Sequence, residues 1–410
     1  MKQLMLVLCW ALTCWQMLAG GDVAIVLMAS AKKNGVRVHA LASCDILAEL
    51  GLTPVLVAQE ADVDAQCYAR SRNIPFVGTK SYYPAEVADA IRTVAATYPG
   101  AVRWVFANTY YDVQAAAQVR AVIPAPCFYT VHFDSPPWLA ATADADEVVC
   151  VNYLTYANLL AKLPAKADRL YFCQPCFDER PYQDFVPTQS RAAYFERLIG
   201  RTLAGCFVCA VVASFTPHKN HPVVFDALKI LVKEKGFPIC VVLAGEGALR
   251  ERYEKMIREE GFEDHIFFAG HLDDVRPLLY HSDVVINPSL SEPFGLAAME
   301  AGLLSKPLIA TRGTGTTVFA KHEHTALVVD SRDPRGFAHA VIRLLGDALL
   351  REQLGSALQH VVLQRFARAS TKQFYASLLH AVQAPHHALH TDPTAEEGGD
   401  QHRNKAVPEG

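Results

Sequence analysis

Short apolar runs alternate with longer amphipathic segments along most of this chain, and this alternation constrains the fold more than any other feature of the sequence. Apolar runs bounded by turn residues are typical of strands buried on both faces. The segments between them repeat apolar residues at the helical period; residues 249–260, for example, place Leu249, Tyr253 and Ile257 on one face. The pattern predicts repeated strand–helix–strand units and therefore parallel, doubly wound sheets.

The predicted strands form two series. The first series comprises residues 22–30, 54–58, 74–77, 102–107, 127–132, 147–151 and 169–173. The second series comprises residues 207–213, 239–244, 266–269, 283–287 and 308–311. The clearest helical segments are residues 36–50, 85–98, 223–235, 249–260 and 295–304.

A polar, irregular stretch at residues 178–191 separates the two series and indicates a domain boundary. A chain of 410 residues and 45.0 kDa is also too long for one ordinary core and long enough for two. We expect a leader at 1–21, Rossmann-like domains at 22–190 and 191–365, a C-terminal helix at 366–384 that packs back on the N-terminal domain, and a disordered tail at 385–410. In such a pair the carboxyl ends of both sheets face one crevice, where ligands bind.

Composition excludes several classes of protein. The net charge is −4, with 38 basic and 42 acidic residues, and no basic run is present, which argues against nucleic acid as a partner. The sequence contains no short repeat that would indicate a solenoid or collagen. A hydrophobic content of 51% is enough to fold most of the chain, so a large α/β enzyme is the expected class.

The first 21 residues leave the cellular location open. Met1 and Lys2 precede an apolar stretch at 4–15, which is shorter than the ~20 residues that cross a bilayer. Three interpretations remain: a cleaved signal peptide, which would make the protein secreted or periplasmic, an anchor on the membrane surface, or an upstream start codon on a cytosolic protein. We expect the cytoplasm or the cytoplasmic face of the membrane, with peripheral membrane contact.

Four of the 11 cysteines have C-x-x-C spacing: Cys173 with Cys176, and Cys206 with Cys209. Cys206 opens a predicted strand, where residues three apart face opposite sides, so its pair cannot share a metal ion without a bend. We therefore expect free thiols and no bound metal.

The segment from Ser289 to Glu300 is the most informative in the chain because it joins a strand to a helix and holds two carboxylates. Pro293 suits the first helical turn, and the free N–H groups of a helix N-terminus bind anions. Gly295 would let a ligand approach the backbone closely. Carboxylates on either side, Glu292 and Glu300, would accept hydrogen bonds from sugar hydroxyls around a phosphate.

This segment, Glu292-Pro-Phe-Gly295 followed by Glu300, resembles the E-P-F-G-x-x-x-x-E signature of retaining glycosyltransferases of family 4, the group 1 transferases of the GT-B fold. The segments 243–247, 268–271 and 306–311 also resemble that family. The resemblance is dense over about residues 208–345. It implies the GT-B fold and a nucleotide-diphosphate sugar as donor.

The resemblance also implies roles for individual residues of the second domain. Glu292 would contact the donor sugar, and Glu300 would hold the ribose hydroxyls. The remaining residues expected at the donor are Gly245, Phe294, Gly295 and Leu296. Lys219 matches the lysine of the family's R-x4-K phosphate clamp, whereas Ser214 stands in place of the arginine, so His218 or Arg312 would have to supply the second charge.

The first domain resembles the family less closely. His132, at the end of a predicted strand, matches a histidine that reaches the donor sugar, with Asp134 displaced by one inserted residue. Gly35 is the remaining glycine of the first loop, which carries Lys32 and Lys33. Pro175 and Cys176 replace an Asn-Gly pair before Phe177.

Thr317 replaces the acidic residue that follows a Gly-Gly pair in the family. The D-x-D segments at Asp62–Asp64 and Asp144–Asp146 do not close a strand, as a metal-binding D-x-D should, so no metal site is expected there.

The sequence therefore predicts a retaining transferase that moves a sugar from a nucleotide-diphosphate donor to a glycan, lipid or small-molecule acceptor. His132, Lys219 and Glu292 are the expected catalytic residues. Two alternatives stay open: a nucleotide-sugar epimerase of the same fold, and a donor-binding protein that has lost catalysis, which the changes at Ser214 and Thr317 suggest.

Overall fold

Two parallel sheets, each covered by helices on both faces, form the body of the molecule. The computed structural model describes residues 21–28, 35–132, 136–173 and 177–383. Most of the expected leader, the expected tail and the segments holding Lys32, Lys33, Asp134, Pro175 and Cys176 lie outside the described residues.

The N-terminal sheet has seven strands in the order β3-β2-β1-β4-β5-β6-β7, all parallel. Its strands are β1 (Val23–Met28), β2 (Thr53–Gln59), β3 (Phe76–Thr79), β4 (Val102–Ala107), β5 (Cys127–Val131), β6 (Glu147–Cys150) and β7 (Leu170–Phe172). Its helices are α1 (Gly35–Glu49), α2 (Val63–Ser71), α3 (Pro84–Thr97), α4 (Tyr110–Val119), α5 (Pro136–Ala141) and α6 (Tyr153–Lys162). Every residue of β1 is buried, as expected for a central strand covered on both faces.

The C-terminal sheet has six strands in the order β10-β9-β8-β11-β12-β13, again all parallel. Its strands are β8 (Phe207–Val212), β9 (Ile239–Ala244), β10 (Ile266–Gly270), β11 (Val284–Asn287), β12 (Leu308–Thr311) and β13 (Leu327–Val329). Its helices are α8 (Arg191–Ile199), α9 (His221–Lys229), α10 (Arg250–Glu260), α11 (Arg276–His281), α12 (Leu296–Leu303), α13 (Pro334–Gly346) and α14 (Ala348–Phe366). The two predicted parallel-sheet domains are confirmed.

The structure differs from the sequence-based expectation at several elements. Strand β13 was not predicted. Helix α9 ends at Lys229 and continues as a π-helical turn, Ile230–Glu234, within the predicted helix 223–235. The polar stretch at 178–191 contains a short helix, α7 (Arg180–Gln183).

The last helix, α15 (Arg368–Gln383), packs on the N-terminal sheet although it follows the second domain in sequence. Tyr375, Leu378 and Leu379 are buried in the same cluster as β1 and β2 residues. Burying side chains of this size stabilises the fold by about 1.5–3 kcal/mol each. Helix α15 is therefore held firmly on the N-terminal domain, at the point where the chain crosses back to it from the second domain. Arg368 at its start also pairs with Glu49 of α1, at 2.6 Å.

The carboxyl edges of the two sheets meet. Helix α6 follows the carboxyl end of β6, and it contacts the 3₁₀ turn Gly315–Val318, which follows the carboxyl end of β12. The loops that end the strands of both domains are therefore neighbours, as in the predicted crevice. None of the described helices combines the length and the hydrophobicity needed to span a bilayer.

Candidate functional site

The functional residues expected in the second domain gather where strand order reverses. Strands β8 and β11 are neighbours, and the chain leaves them toward opposite edges of the sheet. Such a switch point opens a crevice at the carboxyl ends of the two strands. The loops that follow them are joined there, because the N–H of Leu290 donates to the His218 carbonyl oxygen at 2.8 Å.

Lys219 and Glu292 form an ion pair at this point. Nζ of Lys219 lies 2.5 Å from Oε2 of Glu292, and the side chains are only 19% and 11% exposed. The Ser289 hydroxyl donates to the same carboxylate oxygen at 3.3 Å. An ammonium has three N–H donors and this pair uses one of them, so Lys219 keeps donors for a ligand.

Asn220 fixes the backbone beside Lys219, and sequence reasoning missed it. Its φ is +54°, in the left-handed region that asparagine tolerates better than most residues. Its Nδ2 donates to the carbonyl oxygens of Pro288 and Ser331, at 3.0 and 2.8 Å. The loops after β8, β11 and β13 are thereby held together around the lysine.

Gly295 begins helix α12 as its N-cap, with a φ of +92°. The prediction that Pro293 lies in the first helical turn is therefore wrong: the left-handed turn at Gly295 delays the helix, and Pro293 precedes it. The loop after β12 packs tightly here, since a Cβ on Gly315 would lie 1.8 Å from the Pro293 carbonyl oxygen. The Gly315 N–H donates to the Glu292 carbonyl oxygen at 2.7 Å.

The backbone N–H groups of Phe294, Gly295 and Leu296 donate to no acceptor among the described residues. Free donors at the start of an eight-residue helix next to a lysine form a site suited to an anion. The Phe294 side chain is buried and packs on Phe319 and Phe366, with ring centroids 5.6 and 5.4 Å away. That packing fixes the backbone that carries the amides.

Glu300 lies on α12, one turn and more beyond these amides, and is partly buried. The Tyr182 hydroxyl on α7 donates to its Oε1 at 2.6 Å. Burial raises the pKa of Glu300 to about 7; the Tyr182 hydrogen bond opposes the rise and Asp274 adds to it. No local sequence pattern predicts the contact of Tyr182 with Glu300, because the two residues are 118 positions apart.

Gly245 has a packing reason to be glycine. A Cβ there would lie 2.1 Å from the carbonyl oxygen of Ala213, so β9 ends in direct backbone contact with the end of β8. Ser214 follows Ala213 and is exposed. Thr317 donates its hydroxyl to the Thr314 carbonyl oxygen within its own loop, at 2.7 Å.

The two residues considered for the second positive charge differ in character. Desolvation and the neighbouring Lys219 charge lower the pKa of His218, which keeps the imidazole neutral at pH 7. Arg312 follows β12 at the same edge of the sheet and is exposed, and it forms no ion pair with any described residue. Of the two, Arg312 brings the permanent charge.

In the first domain, His132 follows β5 and is 6% exposed. Its ring lies 5.2 Å from His39 and 6.1 Å from Trp138, centroid to centroid. Burial, and next the neighbouring His39, hold the pKa of His132 well below its usual range. Nε2 has no hydrogen-bond partner among the described residues, so a neutral polar atom is buried there without a partner from that part of the chain.

Asn108 repeats this situation at the end of the adjacent strand, β4. It is 2% exposed and donates to the Leu27 carbonyl oxygen at 2.9 Å, while its Oδ1 lacks a partner among the described residues. Strands β1 and β4 form the switch point of the N-terminal sheet. The rule that strand ends carry ligands could have identified Asn108 from the sequence. Gly35 begins α1, the helix that follows β1.

In both D-x-D segments, an aspartate is hydrogen-bonded to an arginine side chain. Asp62 caps α2 and receives two hydrogen bonds from Arg37, at 2.6 and 2.8 Å. Asp146 receives two from Arg120, at 2.8 and 2.9 Å. Within the described ranges, no three His, Cys, Asp or Glu side chains converge to hold a metal ion. Cys67, Cys127, Cys206, Cys209 and Cys240 are free thiols.

Residues 205–361 match the family model described as "Glycosyl transferases group 1". Among curated proteins, the lipopolysaccharide core biosynthesis glycosyltransferase LpsE of Rhizobium meliloti is 31% identical over 137 residues, which are 33% of this chain and 40% of that protein. The D-inositol 3-phosphate glycosyltransferase of Corynebacterium efficiens is 29% identical over 248 residues, 57% of this chain and 56% of that protein. The chain thus covers about half the length of the curated relatives it matches.

Solved structures resemble the whole fold. Alr3699/HepE of Anabaena, solved with UDP and glucose, superimposes with a TM-score of 0.75 at 18% identity and covers 88% of this chain and 100% of that one. A glycosyltransferase of Rickettsia africae gives 0.76 at 16% identity, covering 90% and 100%. These likenesses extend over both domains, whereas the family model covers the second. The chain therefore has the GT-B fold, and its residues 205–361 are similar to the group 1 glycosyl transferases.

Proposed function

We propose that this protein is a retaining glycosyltransferase of family 4 that moves a sugar from a nucleotide-diphosphate donor to an acceptor hydroxyl. The observation that carries the proposal is the arrangement at the switch point of the second sheet. Lys219, paired with Glu292, stands beside the unbonded amides at the start of α12. A cation next to a helix N-terminus is an arrangement that suits a diphosphate.

The leaving diphosphate gains negative charge as the bond to the sugar breaks. Lys219 and the amides of Phe294, Gly295 and Leu296 would stabilise that charge without having to move into place. Glu292 would accept hydrogen bonds from hydroxyls of the donor sugar, and Glu300 would accept them from the ribose hydroxyls. Gly245 would let the nucleotide approach the end of β9, where no side chain intervenes.

Glu292 limits what Lys219 can contribute alone, because a lysine paired with a carboxylate has almost no net charge. A second cation is therefore needed opposite a diphosphate, and Arg312 is the residue available at the same edge. Neutral His218 and exposed Ser214 would contact the phosphates as hydrogen-bonding groups only.

His132 would hold the transferred sugar from the other domain. A neutral, buried imidazole with an unsatisfied Nε2 is suited to a hydrogen bond with a sugar hydroxyl. The acceptor proton would pass to the leaving phosphate, so the protein needs no separate general base. Gly35 would leave space for donor or acceptor at the start of α1.

The proposed partners are the nucleotide-sugar donor and a glycan, lipid or small-molecule acceptor, with neither metal nor nucleic acid. The matched relatives carry names of lipopolysaccharide core and D-inositol 3-phosphate glycosyltransferases, which favour a polyhydroxylated acceptor. Because nucleotide sugars are made in the cytoplasm, we place the protein there or at the cytoplasmic face of the membrane, with peripheral contact.

Incubation with a panel of labelled UDP-, GDP-, ADP- and TDP-sugars tests the proposal. A transferase hydrolyses its own donor slowly without acceptor, and NMR of the released sugar reports retention at the anomeric carbon. Isomerisation of the donor would instead identify an epimerase. Binding with no turnover, even with added acceptors, would identify a protein that has lost catalysis.

A further inference from the structure

Tyr182 contacts the donor site from outside the domain that forms it. It lies on α7, in the segment between the two sheets, and its hydroxyl donates to Oε1 of Glu300 at 2.6 Å. Among the described residues, Tyr182 is the one whose side chain donates a hydrogen bond to this carboxylate, and it uses Oε1 and leaves Oε2 to a ligand. A carboxylate held at one oxygen presents the other in a fixed direction.

We infer that Tyr182 is a positioning residue of the donor site, whose hydroxyl holds the Glu300 carboxylate in place to accept ligand hydroxyls through Oε2. This inference rests on the proposed function, since it assumes that Glu300 accepts the ribose hydroxyls of a nucleotide.

The surroundings of Glu300 give Tyr182 a second effect, on charge. The pKa of Glu300 is about 7, raised first by desolvation and also by Asp274, and the Tyr182 hydrogen bond is what lowers it. Arg276 on α11 pairs with Asp274 at 2.8 Å and so screens that carboxylate. Without the hydroxyl, the pKa of Glu300 rises further, and less of the accepting carboxylate is present at pH 7.

The ring of Tyr182 is held independently of its hydroxyl. It packs on Phe177 at 5.3 Å between centroids, and the Arg276 guanidinium lies 5.9 Å from the ring centroid. Arg276 also donates to the Pro181 carbonyl oxygen at 2.6 Å. Replacement by phenylalanine therefore removes the hydrogen bond and keeps the packing.

A residue next to α7 also connects this segment to the start of α15, where the chain returns from the second domain to the first. The Glu179 carboxylate accepts the backbone N–H of Arg368 at 2.8 Å, at the start of α15. Helix α7 has four residues, and hydrogen bonds hold it to the start of α15 at one end and to Glu300 at the other. Tyr182 therefore has little freedom to move away from Glu300.

The test is nucleotide binding by isothermal titration, with UDP, GDP and ADP, to wild type, Tyr182→Phe, Glu300→Ala and the control Tyr280→Phe. Tyr280 is a partly exposed tyrosine of α11 outside the site. We expect Tyr182→Phe to weaken the preferred nucleotide about fivefold near pH 7 and by a smaller factor near pH 8.5, where more of Glu300 is ionised and the loss of positioning is the main effect that remains. Protonation of the nucleotide itself changes with pH, and it affects Tyr280→Phe in the same way as Tyr182→Phe. Comparing the two variants at each pH therefore removes this effect.

The outcomes separate this inference from the proposed function. If Glu300→Ala weakens binding while Tyr182→Phe matches Tyr280→Phe at every pH, the positioning role is refuted and the donor site stands. A loss in Tyr182→Phe that is equal at all pH values indicates a structural role and also refutes it. If wild type binds none of the nucleotides, or Glu300→Ala binds as wild type does, the proposed function of Glu300 fails first.

Discussion

The carboxyl edges of the two sheets treat polar groups in opposite ways. In the C-terminal domain the partly buried ionisable side chains Lys219, Glu292 and Glu300 already have partners within the chain: Lys219 pairs with Glu292, and Glu300 accepts from Tyr182. In the N-terminal domain, Nε2 of His132 and Oδ1 of Asn108 are buried and lack partners among the described residues. One edge is charged and self-compensated, and the other is neutral and incomplete.

The difference follows from what burial permits. A charge removed from water needs a partner at all times, so a phosphate-binding edge carries its own counter-charges when no ligand is bound. A neutral imidazole or amide loses less when unsatisfied, about 1–3 kcal/mol, and a fold can tolerate a few such atoms where a ligand will later meet them. The charged edge suits the diphosphate, and the neutral edge suits sugar hydroxyls.

The largest expected effect comes from removing the lysine of the charged edge. Lys219→Ala deletes one preorganised charge from the leaving diphosphate and leaves Glu292 unpaired. We expect kcat/KM to fall by ~10²–10³, about 2.7–4 kcal/mol, in steady-state kinetics. Ser214→Arg should partly rescue this variant by restoring a cation at the end of β8.

The matched control is Lys255→Ala, which removes an exposed lysine of α10 that pairs only loosely with Glu259, at 3.6 Å. It should turn over as wild type does. Turnover of Lys219→Ala at the wild-type rate, with an intact fold by circular dichroism, would mean that the diphosphate lies elsewhere and that the two edges do not differ as described.

The neutral edge should show a smaller effect and a flat pH response. His132→Ala removes one hydrogen bond to the sugar, which we expect to lower kcat/KM about tenfold, or ~1.4 kcal/mol. Because burial keeps the pKa of His132 well below its usual range, protonation of this residue should cause no loss of wild-type activity between about pH 6 and about pH 8.

His339→Ala, at an exposed position of α13, controls for loss of a histidine. An acidic limb in the wild-type pH–rate profile that disappears in His132→Ala would contradict the neutral assignment, since it would show a histidine that must lose a proton before it works.

Arg312 and His218 sharpen the account of the charged edge. If Arg312 supplies the second cation, Arg312→Ala should lower kcat/KM about tenfold, the effect of an exposed charge that is partly screened by solvent. His218→Ala should change it less than about threefold, because the imidazole is neutral at pH 7. The opposite ranking in the same assay would assign the second phosphate contact to His218.

The smallest expected effect is that of a chelator. If Lys219, Arg312 and the start of α12 hold the phosphates, EDTA should leave the initial rate of sugar transfer unchanged. Asp62 and Asp146 are already bonded to Arg37 and Arg120 and offer no free pair of carboxylates. A rate that falls with EDTA and returns with Mg²⁺ or Mn²⁺ would replace the lysine-based account with a metal-based one.

Much of the fold was predictable because its signals are local. Buried strands such as 102–107 and 239–244 were placed to the residue, since a continuous apolar run bounded by turns has one reading in a series of strand–helix units. The motif around Glu292 and Glu300 likewise indicated the resemblance to group 1 transferases before any contact was known. The strand β13 was not predicted, and the position of Pro293 was misjudged because a single glycine turn leaves no periodic trace.

The sequence by itself determined the two sheets, the resemblance to group 1 transferases and the strand ends at which ligand groups should lie, because periodicity and motif spacing depend on residues close together in the chain. Only the tertiary structure decided which groups meet. Lys219 and Glu292 are 73 residues apart, and Tyr182 and Glu300 are 118. Their pairing, and the burial that neutralises His132, follow from how helices and loops from distant parts of the chain pack together and exclude water, which no local pattern records.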